Sequence, residues 1–366
     1  MAHLIFLTST PPSVAEGSGT WVGISVLRNA IRAMGHEVTL IAPSAAAGKT
    51  TLSRILFNIR ARSCLRQMKA DVLIGFDLDG VFVRSAKLFH VAAVKGVLAD
   101  EARFEHGRSR LALTVQARLE ARHLRQADRI ITTSLYSSER ISQFYGVSSA
   151  QIFVVPEPID LQAWQNALRT APQENGPLRV LSVAHLYPRK GVDTLLHAFA
   201  RVRNESVLRI VGIGPERQRL EHLAGELAIA DRVHFLGQLS FKALVAEYRN
   251  ATVFALPTSQ EGFGIVFLEA MASSLPIVAG RAAAVPEVVN EGVNGFLVDP
   301  DDHQTLAQTL ARLLEKPETR RAMGSAGFAR VCQYDSPIVA RRFLDLVGVI
   351  TTEGTKRSPS PPSPLW

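Results

Sequence analysis

Short apolar runs alternate with longer stretches in which apolar residues recur at helical spacing, along most of the chain. This alternation is typical of a parallel sheet whose strands are joined by helices. In the first half, the predicted strand and helix pairs are 4–7 with 22–34, 38–41 with 52–68, 72–74 with 81–88, and 91–94 with 108–126. The pattern predicts a doubly wound α/β domain.

The same alternation starts again after residues 170–177, which are rich in Pro, Gly, Gln and Asn and resemble a linker. A chain of 366 residues is too long for one compact core. We therefore predict two Rossmann-like domains, 1–170 and 171–335, that face each other across a cleft. A helix at 336–350 is predicted to pack back on the first domain, and residues 351–366 are predicted to be disordered. In the second half, the predicted strands are 178–183, 207–211, 233–235 and 253–256, and the helices are 192–201, 216–227 and 241–248.

The composition, with 47% hydrophobic and 20% charged residues, is ordinary for a soluble enzyme. The first apolar run is short and lacks a basic leader, and no segment approaches about 20 consecutive apolar residues, so we expect a cytoplasmic protein. Cys64 and Cys332 are too few for a disulfide framework, and no Cys and His residues have zinc-ligand spacing. We expect no metal cofactor.

Positive charge is concentrated in the first half, where residues 1–170 carry 20 Lys and Arg against 13 Asp and Glu. The segment 49–69 contains basic residues interleaved with Leu and Ile, and no acidic residue. Such a segment is typical either of a surface for an anionic membrane or acidic ligand, or of a solvated helix face. Peripheral contact with the inner face of the membrane therefore stays open. Phe57 is the only aromatic residue there, which argues against a nucleic-acid partner.

Two further motifs in the first half fit other enzyme classes only in part. Residues 47–52 resemble the end of a phosphate-binding P-loop, but Pro43 stands where that motif needs a glycine. Asp77 and Asp79 resemble the nucleophile loop of haloacid-dehalogenase-type phosphatases, which normally follows the first strand, whereas here it follows the third. We therefore favour neither an NTPase nor a phosphatase.

Two carboxylates eight positions apart are the most informative feature of the second half. Glu261 lies on the predicted loop between the strand 253–256 and a helix at 265–273, and Glu269 lies about two turns inside that helix. Ligands of open α/β sheets bind at the carboxyl ends of strands, where helix N-termini attract anions. The pair therefore suits a sugar that carries a diphosphate.

Other strand-end residues fit the same ligand. Arg189 and Lys190 follow a predicted strand and precede a helix, where two cations can neutralise a diphosphate at two points. Gly17 and Gly19 form a predicted turn before the first helix, where a ligand can approach the backbone closely. A solvated loop and a plain structural turn are the alternative interpretations of these residues.

Taken in order, these residues resemble the retaining glycosyltransferases of the GT-B fold, family 4. The resemblance is dense over residues 178–301 and looser over 4–160. Its motifs are Arg-Lys-Gly at 189–191, Gly-x-Gly-Pro at 212–215, Val-His-Phe-Leu-Gly at 233–237, the Glu261 and Glu269 pair, Leu-Glu-Ala-Met-Ala at 268–272, Pro-Glu-Val-Val at 286–289 and Asn-Gly-Phe-Leu-Val at 294–298.

The resemblance implies that a nucleotide-diphosphate sugar binds mainly to the C-terminal domain, and the acceptor to the N-terminal one. Glu261 would contact hydroxyls of the donor sugar, and Glu269 would bind the ribose hydroxyls. Arg189 and Lys190 would hold the diphosphate and stabilise its charge as it leaves, as a divalent metal does elsewhere. The backbone N–H groups beside the sugar and diphosphate would come from Gly262, Phe263, Gly264 and Ile265.

The chain also departs from the family pattern. His185 stands where an arginine is common, and it could donate to a phosphate only if protonated. Ala283 and Ala284 replace a usual pair of glycines, and the His-Asp pair often found after the fourth strand is absent. In its place we expect acceptor contacts from Lys95, Asp100, Glu101 and, more weakly, His106, with an ordinary polar loop as the alternative.

We therefore expect a retaining, metal-independent glycosyltransferase that moves a sugar from a nucleotide-diphosphate donor to a small-molecule, glycan or lipid-linked acceptor. Its catalytic residues would be Glu261, Arg189 and Lys190, and no protein nucleophile is assigned. Two alternatives remain, a nucleotide-sugar hydrolase or phosphorylase on the same fold, and a non-catalytic nucleotide-sugar binding subunit.

Overall fold

Two parallel six-stranded sheets form within the described residues of the computed structural model. They belong to two units, one of residues 1–158 with residues 336–349, and one of residues 159–335; the tail predicted to be disordered, 351–366, lies outside the described residues. The doubly wound α/β class predicted from the pattern of apolar residues is confirmed. The described residues are 1–12, 14–43, 50–83, 88–202 and 205–349.

The strands of the first unit are β1 (His3–Leu7), β2 (Glu37–Ile41), β3 (Val72–Phe76), β4 (Phe89–Val94), β5 (Arg129–Thr132) and β6 (Ile152–Val154). The helices among them are α1 (Val14–Ala33), α2 (Thr51–Leu65), α3 (Leu98–Glu101), α4 (Gly107–Leu124) and α5 (Leu135–Tyr145). The sheet order is β2-β1-β3-β4-β5-β6. The chain thus moves outward from β1 to β2 and then crosses to the other side of β1, which makes β1 and β3 the topological switch point.

The strands of the second unit are β7 (Arg179–Val183), β8 (Val207–Val211), β9 (Val233–Gly237), β10 (Val253–Leu256), β11 (Ile277–Gly280) and β12 (Gly295–Val298). Its helices are α6 (Leu161–Thr170), α7 (Val192–Phe199), α8 (Arg217–Glu226), α9 (Phe241–Asn250), α10 (Ile265–Ala272), α11 (Val285–Val288), α12 (His303–Glu315) and α13 (Pro317–Val331). The order β12-β11-β10-β7-β8-β9 puts the switch point between β7 and β10. Every residue of β10 and β11 is buried, as expected for parallel strands that are covered on both faces.

The last described helix, α14 (Ser336–Leu346), belongs to the first unit. It packs on α1, and its Val339, Phe343 and Leu344 are buried in the core that also contains Phe6. The Phe343 and Phe6 rings meet edge to face, with their centroids 6.4 Å apart. Burial of this apolar face brings the end of the described chain back to the first sheet.

The change from the first unit to the second lies at residue 158, and not at the linker-like residues 170–177. Helix α6 packs in the second unit because Trp164 is buried against Tyr248, with the ring centroids 5.4 Å apart. The Trp164 indole also donates to Ser273 Oγ at 2.9 Å. The polar stretch after α6 is a surface loop that Asn250 holds to the same unit, by donating to the Pro172 carbonyl at 3.0 Å.

Two local predictions are wrong. The helix expected at 81–88 is absent from its described part, residues 81–83 and 88, because a turn through Asp77 (φ 54°) and Gly80 (φ 124°) precedes it. Buried Val81 and Val83 explain why the apolar spacing looked helical. The turn expected at Gly17 and Gly19 is also absent, since α1 begins at Val14 and includes both glycines.

Candidate active site

The loops after β7 and β10 lie side by side because these two strands pair at the switch point of the second sheet. A single 3₁₀ turn, Pro188–Lys190, follows β7 and ends at Gly191, whose φ is 65°. A Cβ at Gly191 would lie 2.3 Å from the Pro257 carbonyl oxygen, so only glycine fits there. The missing side chain therefore lets the two loops touch.

Backbone hydrogen bonds fix the two loops to each other. The Arg189 carbonyl accepts from the Ser259 N–H at 2.9 Å, from the Thr258 hydroxyl at 3.0 Å and from the Ser259 hydroxyl at 3.1 Å. Three donors on one carbonyl hold the 3₁₀ turn against the second loop. The side chains of the two loops are therefore held at fixed positions relative to each other.

Two adjacent cations meet two adjacent acceptors across this contact. Arg189 Nε donates to Gln260 Oε1 at 3.0 Å, and Lys190 Nζ forms an ion pair with the Glu261 carboxylate. The side chains of Lys190 and Glu261 are only 12% and 13% exposed. The arrangement brings together three residues that the sequence predicts for one site, and it adds Gln260, which the sequence interpretation missed.

The backbone after Glu261 leads into α10. Gly264 is the residue before the helix, with φ 91°, and Phe263 is buried against Tyr334 with the ring centroids 5.7 Å apart. The N-terminal end of a helix carries partial positive charge and favours anions. The turn from Gly262 to Ile265 thus presents the start of α10 beside the Lys190–Glu261 pair.

Glu269 is buried inside α10 and is paired with a tyrosine. Its Oε2 accepts from the Tyr248 hydroxyl at 2.8 Å. Burial raises the pKa of Glu269 to about 7, because removal from water disfavours the charged carboxylate. Tyr248 lies on α9 and contacts Trp164 and Phe254. From the sequence alone it therefore looks like an ordinary aromatic residue of the core.

His185 lies before the 3₁₀ turn, with its Nδ1 3.3 Å from the Ile213 carbonyl oxygen. Burial lowers the pKa of His185, and the nearby charges of Lys190 and Arg189 lower it further. In the neutral imidazole, Nδ1 donates to that carbonyl, so Nε2 can only accept. His185 therefore has no N–H left for a phosphate unless it gains a proton.

At the first unit's switch point, a carboxylate is enclosed by donors. Asp79 Oδ2 accepts from the Ser9 N–H at 2.6 Å and from the Ser9 hydroxyl at 2.8 Å, and Oδ1 accepts from the Asn58 amide at 2.7 Å. The Arg54 guanidinium lies 3.7 Å from the same carboxylate, which is almost wholly buried. Asp79 is thus part of a structural network and does not resemble an exposed nucleophile.

The candidate acceptor residues have different environments. Lys95 Nζ pairs with Glu157 Oε2 at 2.9 Å, and both side chains are under 10% exposed. Asp100 is fully buried and accepts from the Tyr136 hydroxyl at 2.7 Å. Glu101 lies beside the backbone of Gly96. His106 is exposed before α4 and makes no capping hydrogen bond there. Glu101 thus lies next to Lys95, whose N–H donates to Asp77 Oδ1 at 2.8 Å, and the part of these four residues in acceptor binding stays a prediction.

The basic segment divides between two faces of α2. Arg54 points inward, where its Nη1 donates to Gln116 Oε1 at 2.7 Å. Lys49 lies outside the described residues. The outward positions combine apolar and basic side chains, namely Leu52, Leu56, Ile59, Arg60, Arg62, Arg66 and Lys69.

Two family models match consecutive parts of the chain. The model of glycosyltransferase family 4 matches residues 17–163, and that of glycosyl transferases group 1 matches residues 165–330. The chain belongs to glycosyltransferase family 4. It is therefore a glycosyltransferase, of a family whose members use nucleotide-sugar donors.

Relatives of this glycosyltransferase include two mannosyltransferases. The MMP α-(1→4)-mannosyltransferase of Mycolicibacterium hassiacum is 37% identical over 59% of this chain, and the match spans about half (52%) of that enzyme. The GDP-mannose-dependent α-(1-6)-phosphatidylinositol monomannoside mannosyltransferase of Mycobacterium tuberculosis is 29% identical over 84% of this chain and 82% of that enzyme.

Solved structures show that the glycosyltransferase has the GT-B fold. Sucrose-phosphate synthase from Thermosynechococcus elongatus superposes with a TM-score of 0.81, at 21% identity, over 94% of this chain and 97% of that one. HepE from Anabaena in complex with UDP-glucose superposes with a TM-score of 0.76, at 19% identity, over 96% of this chain and all of that one. The predictions of fold and family are confirmed.

The sequence interpretation missed several polar residues of this glycosyltransferase. Glu157 lies three residues after β6 and Gln260 four residues after β10, so the search for polar residues after strand ends that selected Arg189 would also have selected them. Tyr248 lies within a helix and does not follow a strand end, so this search would not have selected it. Gly17 and Gly19 lie in α1, and their part in donor binding stays a prediction.

Proposed function

We propose that this protein transfers a sugar from a nucleotide diphosphate to a hydroxyl-bearing acceptor, with retention of configuration and without a metal ion. The observation that carries the proposal is the pairing of Arg189 and Lys190 with Gln260 and Glu261 at the switch point of the second sheet. Adjacent cations beside a helix N-terminus suit a diphosphate, and a carboxylate suits sugar hydroxyls.

Each residue of this site is assigned one part of the donor. Arg189 and Lys190 bind the diphosphate and stabilise the charge that grows as it leaves, which is the role a divalent ion has in other enzymes. Glu261 accepts from sugar hydroxyls, and ionised Glu269 accepts from the ribose. The turn from Gly262 to Ile265 lies beside the sugar and diphosphate. The acceptor attacks on the face from which the diphosphate departs, and no protein nucleophile is assigned.

The second unit is proposed to bind the donor and the first to bind the acceptor. Relatives named for GDP-mannose and a solved relative that holds UDP-glucose indicate which donors to test. We expect GDP-mannose, UDP-glucose or ADP-glucose to raise the melting temperature of the protein, because a ligand that binds only the folded state stabilises it. No shift with any nucleotide sugar at millimolar concentration would contradict the proposal.

The exposed face of α2 is proposed to contact an anionic membrane on its inner face, where a lipid-linked acceptor would lie. The face combines Leu52, Leu56 and Ile59 with Arg60 and Arg62, and the exposed Arg66 and Lys69 follow just after the helix, so the segment has the composition of an interfacial helix. No described helix is long and apolar enough to cross a bilayer. Co-sedimentation with phosphatidylglycerol vesicles at low salt tests the contact. Arg60→Glu with Arg66→Glu should abolish it, whereas equal binding of that variant would refute it.

A further inference from the structure

The two cations of the proposed donor site have unlike partners. Arg189 donates to the neutral amide of Gln260, so its positive charge stays uncompensated by that contact. Lys190 pairs with the Glu261 carboxylate, which cancels its charge locally. A diphosphate that approaches Lys190 therefore competes with Glu261 for the same ammonium group.

This competition is strong because the pair is largely withdrawn from water. The two side chains are 12% and 13% exposed, and charges interact more strongly where water is excluded. A carboxylate left beside a diphosphate repels it unless the carboxylate finds other donors. The hydroxyls of a sugar are such donors, and a nucleoside diphosphate without its sugar has none to offer at that end.

The loop gives Glu261 little freedom to move away. Its carbonyl accepts from the Ala284 N–H at 3.2 Å, and the preceding Gln260 carbonyl accepts from the Thr258 hydroxyl at 3.0 Å. The single Thr258 hydroxyl proton is shared with the Arg189 carbonyl, also at 3.0 Å, and the Ser259 N–H donates to that carbonyl at 2.9 Å, so the loop that carries Glu261 is anchored to the turn that carries Lys190. The repulsion therefore cannot be relieved by withdrawal of the loop.

We infer that Glu261 makes the site discriminate between the nucleotide sugar and the nucleoside diphosphate that remains after transfer. With the sugar present, hydroxyls occupy Glu261 and release Lys190 to the diphosphate. Without the sugar, Glu261 competes for Lys190 and weakens the retention of the product. The inference rests on the proposed function, and it gives Glu261 a role in product release as well as in sugar binding.

The test measures the Kd of GDP, UDP and ADP by calorimetry at pH 8, for the wild type and Glu261→Gln. The variant should bind the preferred nucleoside diphosphate about five- to tenfold more tightly, because the competing charge is gone. The Kd of the matching nucleotide sugar should rise, since glutamine accepts from hydroxyls less strongly. The Kd of the nucleoside diphosphate is also measured for Glu261→Ala, so that the result does not depend on the correct folding of a single variant.

Glu247→Gln is the matched control, because Glu247 pairs with Arg209 in the same unit at 2.8 Å and is 14% exposed. It changes the net charge equally and should leave the nucleoside diphosphate Kd within about twofold. Lys190→Ala combined with Glu261→Gln should bind the nucleoside diphosphate more weakly than Glu261→Gln alone, because the ammonium group that Glu261→Gln releases is then missing.

An unchanged or higher Kd in Glu261→Gln would overturn the inference, as would equal tightening in Glu247→Gln. Binding of these nucleotides by neither the wild type nor Glu261→Gln would overturn the proposed function as well.

Discussion

The carboxylates at the switch points of the two sheets have different kinds of partners. At β1 and β3, Asp79 accepts hydrogen bonds from Ser9 and Asn58 and has the Arg54 guanidinium 3.7 Å away. At β7 and β10, Glu261 shares an ion pair with Lys190 beside the start of α10. The first carboxylate is saturated by the protein, whereas the second is paired with a cation that a ligand can also bind.

This difference shows that position at a switch point does not by itself make a binding residue. A carboxylate surrounded by several donors stabilises loops, because every exchange of partner would leave a buried polar group unsatisfied. A carboxylate with one charged partner can exchange it for a ligand at smaller cost. On this ground we expect a structural role for Asp79, and the binding role of Glu261 stays a prediction.

The largest expected effect is on stability. Asp79→Ala should lower the free energy of unfolding of the first unit by about 3–5 kcal/mol, because it leaves the Ser9 N–H and the Asn58 amide buried without their acceptor and removes the carboxylate beside the Arg54 guanidinium. Glu261→Ala should cost less, because it removes the acceptor of one cation, Lys190, whose side chain keeps some contact with water. Melting curves followed by circular dichroism measure both variants. An equal loss of unfolding free energy in the two variants would contradict the distinction between the two switch points.

The next effect concerns pH and donor affinity. The pKa of Glu269 is raised to about 7, so the carboxyl is protonated below pH 7 and ionised above it. If ionised Glu269 accepts from the ribose, the affinity for a nucleotide sugar should rise about tenfold from pH 6 to pH 8 and be lost as pH falls. Calorimetry with GDP-mannose or UDP-glucose measures this, and Glu269→Gln should abolish the dependence. A persisting pH dependence in that variant would assign it to another group.

The smallest effect concerns the Lys95–Glu157 pair. A Cβ at Gly23 of α1 would lie 2.1 Å from Glu157 Oε2, so Gly23→Ala should displace the carboxylate and cost about 1–2 kcal/mol. Glu157→Asp, one methylene shorter, should restore part of that loss in the Gly23→Ala background. Gly225→Ala is the control, since nothing lies within 4 Å of a Cβ there. Absence of any rescue by Glu157→Asp would show that the carboxylate is not what Gly23 accommodates.

The sequence predicted the donor loops better than the rest because their residues are local to strand ends. Arg189, Lys190 and Glu261 could each be selected from a strand followed by polar residues and a helix. Their pairing depends on β7 lying next to β10, a strand order that apolar periodicity does not specify. The sequence thus selected the candidate residues, but it did not predict which of them are in contact.

Long-range contacts and buried turns explain what the sequence interpretation missed. Glu157 pairs with a lysine 62 positions away, and Glu269 with a tyrosine 21 positions away, so neither partner is visible in a local pattern. Val81 and Val83 lie in a turn segment and are both buried. Their spacing in the sequence is the same as that of apolar residues on one face of a helix. Glycines suggested a turn at Gly17, but α1 extends through it.

The central claim is that Lys190, and not the equally buried Lys95, binds the diphosphate. Calorimetry with the preferred nucleoside diphosphate on Lys190→Met and Lys95→Met tests it, because methionine keeps the stem of the side chain and removes only the charge. We predict that Lys190→Met raises the Kd at least tenfold, since a charge-assisted contact contributes about 1.5–3 kcal/mol, and that Lys95→Met changes it less than about twofold. An unchanged Kd in Lys190→Met, or the larger loss in Lys95→Met, would contradict the account.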